Sequence, residues 1–341
     1  MTARLLPLAL VCVSLAHAQE ARPDATRTRH TVVSRLTGDQ RLRARLAARD
    51  DPAADALLER LRLSLLDPSL AGTRAEGYGE VPGATPFVRG KGDASAVAMD
   101  DVAQGALGDC YLLASLIAIA RLDPGHLEGL IAEGEPGTFQ VTLWHPIAPR
   151  QAGLTALRDG AREALRRLRG QGVGPRETFA VNGRIPLREG DAAFARQGDR
   201  FVGKDGQVYH VELWPILFEK AFARMHGGFE EIVGGYPAYA LMALSGRRAR
   251  NVGLTFRSDR GIETVLREAL DERRPVIVSS KRGAEDLGVV GGHAYVLLEV
   301  ESGGFRLYNP WGRRHPERPL TARELRRLFH RATLGPRFPA R

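Results

Sequence analysis

Cysteine is nearly absent from this chain: its 341 residues hold two, Cys12 and Cys110. A disulfide framework is thereby excluded, and no zinc-ligand spacing is present. Lysine is almost as scarce, standing only at positions 91, 204, 220 and 281, so the formal net charge of +9 is carried almost wholly by arginine. No aromatic-studded basic strand and no phosphate-cradling loop accompanies that charge, and nucleic acid is not an expected partner. Beyond the N-terminal stretch no apolar run is long enough to span a bilayer, so no membrane anchor is expected once that stretch is removed.

The N-terminal stretch has three parts. Arg4 supplies the positive region, residues 5–15 are apolar, and Ala16, His17 and Ala18 form a small-x-small cleavage site. This is the layout of a secretory signal peptide over residues 1–18, with cleavage before Gln19 and a secreted or periplasmic mature protein. Cys12 follows Leu10 and Val11 rather than a small residue, which argues against a lipid anchor there. Removal of the signal leaves Cys110 as the sole thiol of an exported chain. An unpaired cysteine is a liability in an oxidising compartment, so its retention calls for a reason.

Residues 19–79 are rich in Arg, Ala, Asp and Leu, with helical spacing over 40–48 and 53–66. They read as a helical extension, either covering a cleft like a propeptide or forming a solvated tail. Residues 77–92 carry several glycines together with Pro82 and Pro86 and read as an irregular loop. The catalytic part is expected over 80–341, with a helical lobe over about 80–244 and a β lobe over about 245–341. In the first, residues 111–121 form a helix too apolar to lie on a surface. Strands are expected over 138–144 and 177–181, and a helix over 213–225. An Arg-rich helix within 153–169 reads as a solvated face. In the second lobe, strands over 275–279, 293–300 and 304–308 include a hairpin turning at 301–304, and a terminal helix spans 320–329. The fold class is α+β, two-lobed, with a cleft between the lobes.

Three short motifs carry the chemistry. QGALGDCYLLAS over 104–115 sets Cys110 between a glycine-rich loop and the first turn of the apolar helix, where the backbone dipole favours a thiolate. GGHAY over 291–295 opens a strand, and YNPWG over 308–312 closes its hairpin neighbour, which brings His293 beside Asn309. A cysteine nucleophile needs an imidazole to exchange its proton, and the imidazole needs a polar side chain to fix its tautomer. Trp311 is placed to cover that hydrogen bond. The Gln104 side-chain amide and the Cys110 backbone N–H make a candidate oxyanion hole. Singly, each residue has a plainer explanation: a core thiol, a structural histidine, an asparagine in a turn before proline, a glutamine in a glycine loop. Together, in this order, coincidence is improbable.

The three motifs resemble those of the calpain family of papain-like cysteine proteases. RIPL over 184–187, LWPILFEKAFA over 213–223 and GFE over 228–230 running on to Gly234 and Gly235 resemble calpain core segments too, so the likeness extends from about Pro86 to Gly312. It implies a papain-like fold and an endopeptidase acting on proteins or peptides, with Cys110 as nucleophile, His293 as acid/base, Asn309 as orienter and Gln104 as oxyanion donor. It also implies that Gly235 and Gly292 offer backbone hydrogen bonds to an extended substrate. Calpain cores bind calcium, and the acids of one such site match Asp101 and Glu212; two ordinary surface acids remain the alternative. The chemistry itself requires no cofactor, and a monomer is expected. The chain departs from the family in its short hairpin, in its Arg-rich insertion, and in lacking both the acidic Trp-containing segment after the asparagine motif and the regulatory domains. Two other readings stand beside the protease: a papain-fold acyltransferase of transglutaminase type, which would carry aspartate at position 309, and a non-enzymatic module binding peptides or anionic surfaces.

Overall fold

The computed structural model describes residues 52–81, 84–88, 95–146, 173–195, 201–202, 208–209, 212–301 and 304–339. The signal peptide, residues 19–51 of the extension and the Arg-rich insertion lie outside them. The chain divides into two compact units, the first ending at Leu66 and the second running from Asp67. In the first, α1 (Pro52–Ser64) has Arg62 donating to Glu59 one turn back at 2.8 Å.

The second unit begins inside the stretch expected to be an extension. Residues 77–79, expected in an irregular loop, form β1 (Gly77–Gly79), and Gly77 pairs with Leu187. The catalytic helix α2 (Cys110–Leu122) follows, then α3 (Pro124–Glu128). Pro124 disfavours helix at Asp123, whose φ of −152° ends α2, and the Asp123 carboxylate then accepts from His126 N at the start of α3. An antiparallel sheet comes next: β2 (Ile131–Glu133), β3 (Thr138–Pro146) and β4 (Val173–Asn182). After it come β5 (Ile185–Arg188), β6 (Asp191–Ala192) and the pair β7 (Phe201–Val202) and β8 (Val208–Tyr209). Helix α4 (Trp214–His226) starts with proline in its first turn and ends on Gly227, whose φ of 104° suits glycine. Helix α5 (Pro237–Ser245) ends the same way on Gly246.

The remaining residues build β9 (Arg250–Gly253), α6 (Asp259–Asp271), β10 (Val276–Ser280), β11 (Ala294–Glu301), β12 (Gly304–Asn309), β13 (Arg313–Arg314), α7 (Ala322–Leu328) and β14 (Phe329–Leu334). Their strands form one antiparallel sheet in the order β13-β12-β11-β10-β14-β9. One further structural feature differs from the sequence-based expectation. The second lobe, expected to be β apart from a terminal helix, also contains α6, an amphipathic helix whose Ile262, Leu266 and Ala269 are buried and whose N-cap Ser258 accepts from Gly261 N. The strands expected over 138–144 and 177–181 fall within β3 and β4.

Two hydrophobic cores flank the six-stranded sheet, and alternate residues of its strands serve each. Ile277, Ala294, Val296 and Leu298 join the core around α2, α4 and α5. Val278, Tyr295, Leu297 and Leu307 join the core with Ile262 and Leu266 of α6 and Leu325 of α7. This period-two division follows from the pleat. Helix α2 is buried on every side from Tyr111 to Ala120, as its unbroken apolar sequence requires. Each fully buried Leu or Ile there contributes about 1.5–3 kcal/mol. The α2 N-terminus therefore sits on a stiff support facing the start of β11.

Candidate active site

The cysteine loop is held from two sides. Gln104 N donates to Pro310 O at 2.7 Å, joining it to the loop after Asn309, and Ala106 N donates to Ala193 O at 2.7 Å. Leu112 N and Leu113 N both donate to Asp109 O, forming the first turn with Cys110 at its head. The Gln104 side chain is 8 % exposed, and its Nε2 donates to Leu107 O at 2.7 Å. A primary amide has two N–H bonds, so this fixes the side chain and leaves a second donor.

His293 is positioned through its backbone. Its N–H donates to Ser280 Oγ at 2.8 Å, and its carbonyl accepts from Ser280 N at 2.9 Å. Because β11 and β12 form a hairpin, the residue just before one strand meets the last residue of the other: His293 Nε2 lies 2.8 Å from Asn309 Oδ1. The same oxygen accepts from Trp311 N at 3.1 Å. Two donors converging on one atom fix the amide orientation, since a flipped amide would present its own N–H bonds to them. Nε2 is therefore the protonated nitrogen, and Nδ1 carries the free lone pair. Burial lowers the His293 pKa, partly opposed by the Asn309 hydrogen bond, while the charge of His315 lowers it further. The Trp311 ring lies 5.2 Å from the His293 ring, tilted by 45°, and remains 39 % exposed.

Two influences on the thiol oppose each other. The helix N-terminus should favour a thiolate, yet the Cys110 pKa is raised to about 11, first by burial and then also by the adjacent Asp109 charge. Hydrogen bonds from the backbone of Ala294, and from Tyr111 and Cys110 themselves, oppose the rise and are outweighed. Ala294 immediately follows His293, so the contact brings the thiol to the start of β11.

Two glycines frame this arrangement for definite reasons. Gly292 has φ of 68°, a conformation that allows the chain to turn into His293. A Cβ on Gly235 would lie 2.4 Å from Tyr111 Cζ. The Tyr111 hydroxyl donates to Ile232 O at 3.2 Å and Gly234 N donates to Gly108 O at 2.9 Å, so the segment carrying Gly235 is tied to the cysteine loop.

Asp101 and Glu212 occupy neighbouring segments. Asp101 Oδ2 accepts from Ala98 N at 2.6 Å and from Trp214 Nε1 at 3.2 Å, and Glu212 Oε1 accepts from Val88 N at 2.9 Å. Glu212 is 3 % exposed, which sets aside the reading of it as an ordinary surface acid. The donors are all oxygen, as a hard cation prefers. Among the described residues, however, no group of three His, Cys, Asp or Glu side chains gathers to hold a metal ion. These two carboxylates are thus at most part of a cation site that backbone carbonyls would have to complete.

Sequence reasoning did not identify four contributors: Ser280, the Ala294 N–H, Tyr111 as an anchor, and Glu219 as the neighbour of Asp109. Ser280 and Ala294 act through backbone placement and leave no motif. Glu219 does leave one, as an acid embedded in the apolar run of α4.

The sheet, the buried helix bearing a thiol at its head and the His–Asn pair resemble the layout of a papain-like α+β domain. Within that likeness the chain is calpain-like. Residues 173–318 match the profile of the calpain family cysteine proteases, a span that contains His293 and Asn309. Calpain-12 of Mus musculus is 29% identical over 231 residues, covering 62% of this chain and 27% of that protein. Calpain-12 of Homo sapiens is 28% identical over 230 residues, with the same coverage, and the Calpain-2 catalytic subunit of Bos taurus is 25% identical over 234 residues, 62% of this chain and 28% of that protein. The chain thus spans little more than a quarter of the length of these curated relatives.

Proposed function

We infer that the protein is an exported cysteine endopeptidase acting on extended stretches of protein or peptide. The observation that carries this reading is the shared Asn309 oxygen: it fixes Nε2 of His293 as protonated and leaves Nδ1 basic, while the next residue, Ala294, contacts the Cys110 thiol. In the reaction, Nδ1 of His293 takes the thiol proton as Sγ attacks the substrate carbonyl. The oxyanion is received by the second N–H of Gln104 and the Cys110 backbone N–H. Collapse breaks the C–N bond, and the departing amine takes the proton from Nδ1, leaving a thioester. Water then gives its proton to Nδ1 and attacks the thioester, releasing the acid and restoring the thiol. Gly235 and Gly292 present backbone to the substrate strand, and Trp311 shields the His–Asn bond.

Calcium, held by Asp101 and Glu212 with backbone carbonyls, would order the segment leading into the cysteine loop without taking part in the chemistry. The test is labelling of Cys110 by a peptidyl chloromethyl ketone, followed by peptide mapping. Labelling of wild type at Cys110 that depends on His293 supports the reading, and labelling unaffected by His293→Ala contradicts it. Repeating the experiment with calcium, with chelator and in Asp101→Asn decides the role of the cation.

A further inference from the structure

Two acids with no catalytic assignment meet beneath the nucleophile. Asp109, the N-cap of α2 and the residue before Cys110, is fully buried and makes no capping hydrogen bond with its side chain. Glu219 on α4 is also fully buried, and Ala195 N approaches its two oxygens at 3.1 and 3.0 Å. Neither buried Asp109 oxygen receives a hydrogen bond from an N–H or O–H donor among the described residues, and the group that faces this carboxyl is the carboxyl of Glu219. Ionised carboxylates only accept hydrogen bonds, so this contact requires a proton on one of them. Among the described residues neither carboxyl forms an ion pair, and their charge raises the pKa values of Tyr78, Cys110 and Tyr111, none of them a cation. Two unpaired negative charges so buried and so close would be prohibitively costly.

The geometry points to Asp109 and Glu219 as an acid–carboxylate pair that holds one proton and one negative charge, with the proton on Glu219 and the charge on Asp109, positioning the nucleophile and setting the reactivity of its thiol. The assignment of the charge follows from the helix dipole: Asp109 stands at the N-terminus of α2, where negative charge is favoured, whereas Glu219 lies within α4. The consequence is twofold. The shared proton ties the turn before Cys110 to α4, and the charge beside the sulfur keeps the thiol protonated until substrate arrives. Burial of both carboxyls raises their pKa values, in keeping with a retained proton.

This inference rests on Cys110 being the nucleophile proposed above, but its test reads thiol chemistry and needs no peptide substrate. The pH profile of Cys110 alkylation by iodoacetamide is measured in wild type, Asp109→Asn, Glu219→Gln and the double variant. In Asp109→Asn the asparagine amide donates to an ionised Glu219, moving the charge away from the sulfur. The profile should then move to lower pH, and a midpoint lower by about 1 in pH gives about tenfold more thiolate at a given pH. Glu219→Gln keeps a donor to an ionised Asp109 and should leave the profile where it is. The double variant, with no charge, should move furthest. A profile unmoved in Asp109→Asn, or moved equally by Glu219→Gln, overturns the proposal, since a purely structural role moves neither. Should a variant fail to fold, infrared spectroscopy of wild type at neutral pH decides: a buried carboxylic-acid C=O band is expected, and its absence contradicts the pair.

Discussion

Asn309 Oδ1 stands 2.8 Å from Nε2 of His293 at the meeting of two hairpin strands, and the Trp311 backbone N–H holds that same oxygen in place. The bond fixes which nitrogen of the imidazole is basic. Asn309→Ala leaves the ring free to turn and to change tautomer. Catalytic turnover should then fall by about a hundredfold, with a smaller change in KM, because positioned acid–base chemistry contributes on the order of 10²–10⁴. Steady-state kinetics on a fluorogenic peptide checks this.

Gly235 lies against the Tyr111 ring. Gly235→Ala places a methyl group where only 2.4 Å is available, so either the ring or the glycine segment must shift. Tyr111 neighbours Cys110, and Ile232 O accepts its hydroxyl. Activity should drop more than thermal stability does, which parallel kinetics and melting curves will test. Equal losses in both would place the effect in the fold alone.

Lys220 is fully buried, with Asp67 Oδ1, Asn182 Oδ1 and the carbonyls of Asn182 and Arg184 all between 2.6 and 3.0 Å from its Nζ. It fastens the start of the second unit to the end of β4. Lys220→Met removes the fully buried cation from Asp67, which keeps its ion pair with Arg184, and should cost about 3–5 kcal/mol of stability, the usual result of breaking a buried pair from one side. Urea denaturation measures it.

The buried Asp109–Glu219 pair also links stability to pH. Burial raises the pKa of both carboxyls above their ordinary values, so the folded pair keeps its proton to a pH at which the unfolded chain has released it. Unfolding in that window releases a proton, and the pair's contribution to stability falls as pH rises through it and is constant outside it. Asp109→Asn should flatten that slope. Denaturation midpoints measured from pH 4 to 8 in both proteins will show whether it does.

Much of this site is legible in the sequence because its residues sit at ends of elements whose patterns are strong. The apolar run after Cys110 forces a buried helix. The short hairpin then places the residue before one strand opposite the last residue of the other, so His293 meets Asn309. What the sequence conceals depends on partners distant along the chain. Helix α6 falls in a segment that otherwise reads as strands, because its apolar residues are few and recognisable only at a 3.6-residue spacing. The strand at 77–79 looks like a loop because its glycines are strand-compatible only once β5 is there to pair with them. The thiol's surroundings are half-hidden for a related reason: the helix dipole can be read locally, whereas burial and the Asp109 charge beside it depend on how α2 meets β11 and α4.

The most direct measurement is digestion of unfolded casein by purified mature protein, with and without calcium, beside a Cys110→Ser control. The account predicts cleavage by wild type under at least one of these conditions and none by the variant, with the variant's melting temperature unchanged. Equal cleavage by both proteins, or none by wild type even after residues 19–66 are removed, would contradict it.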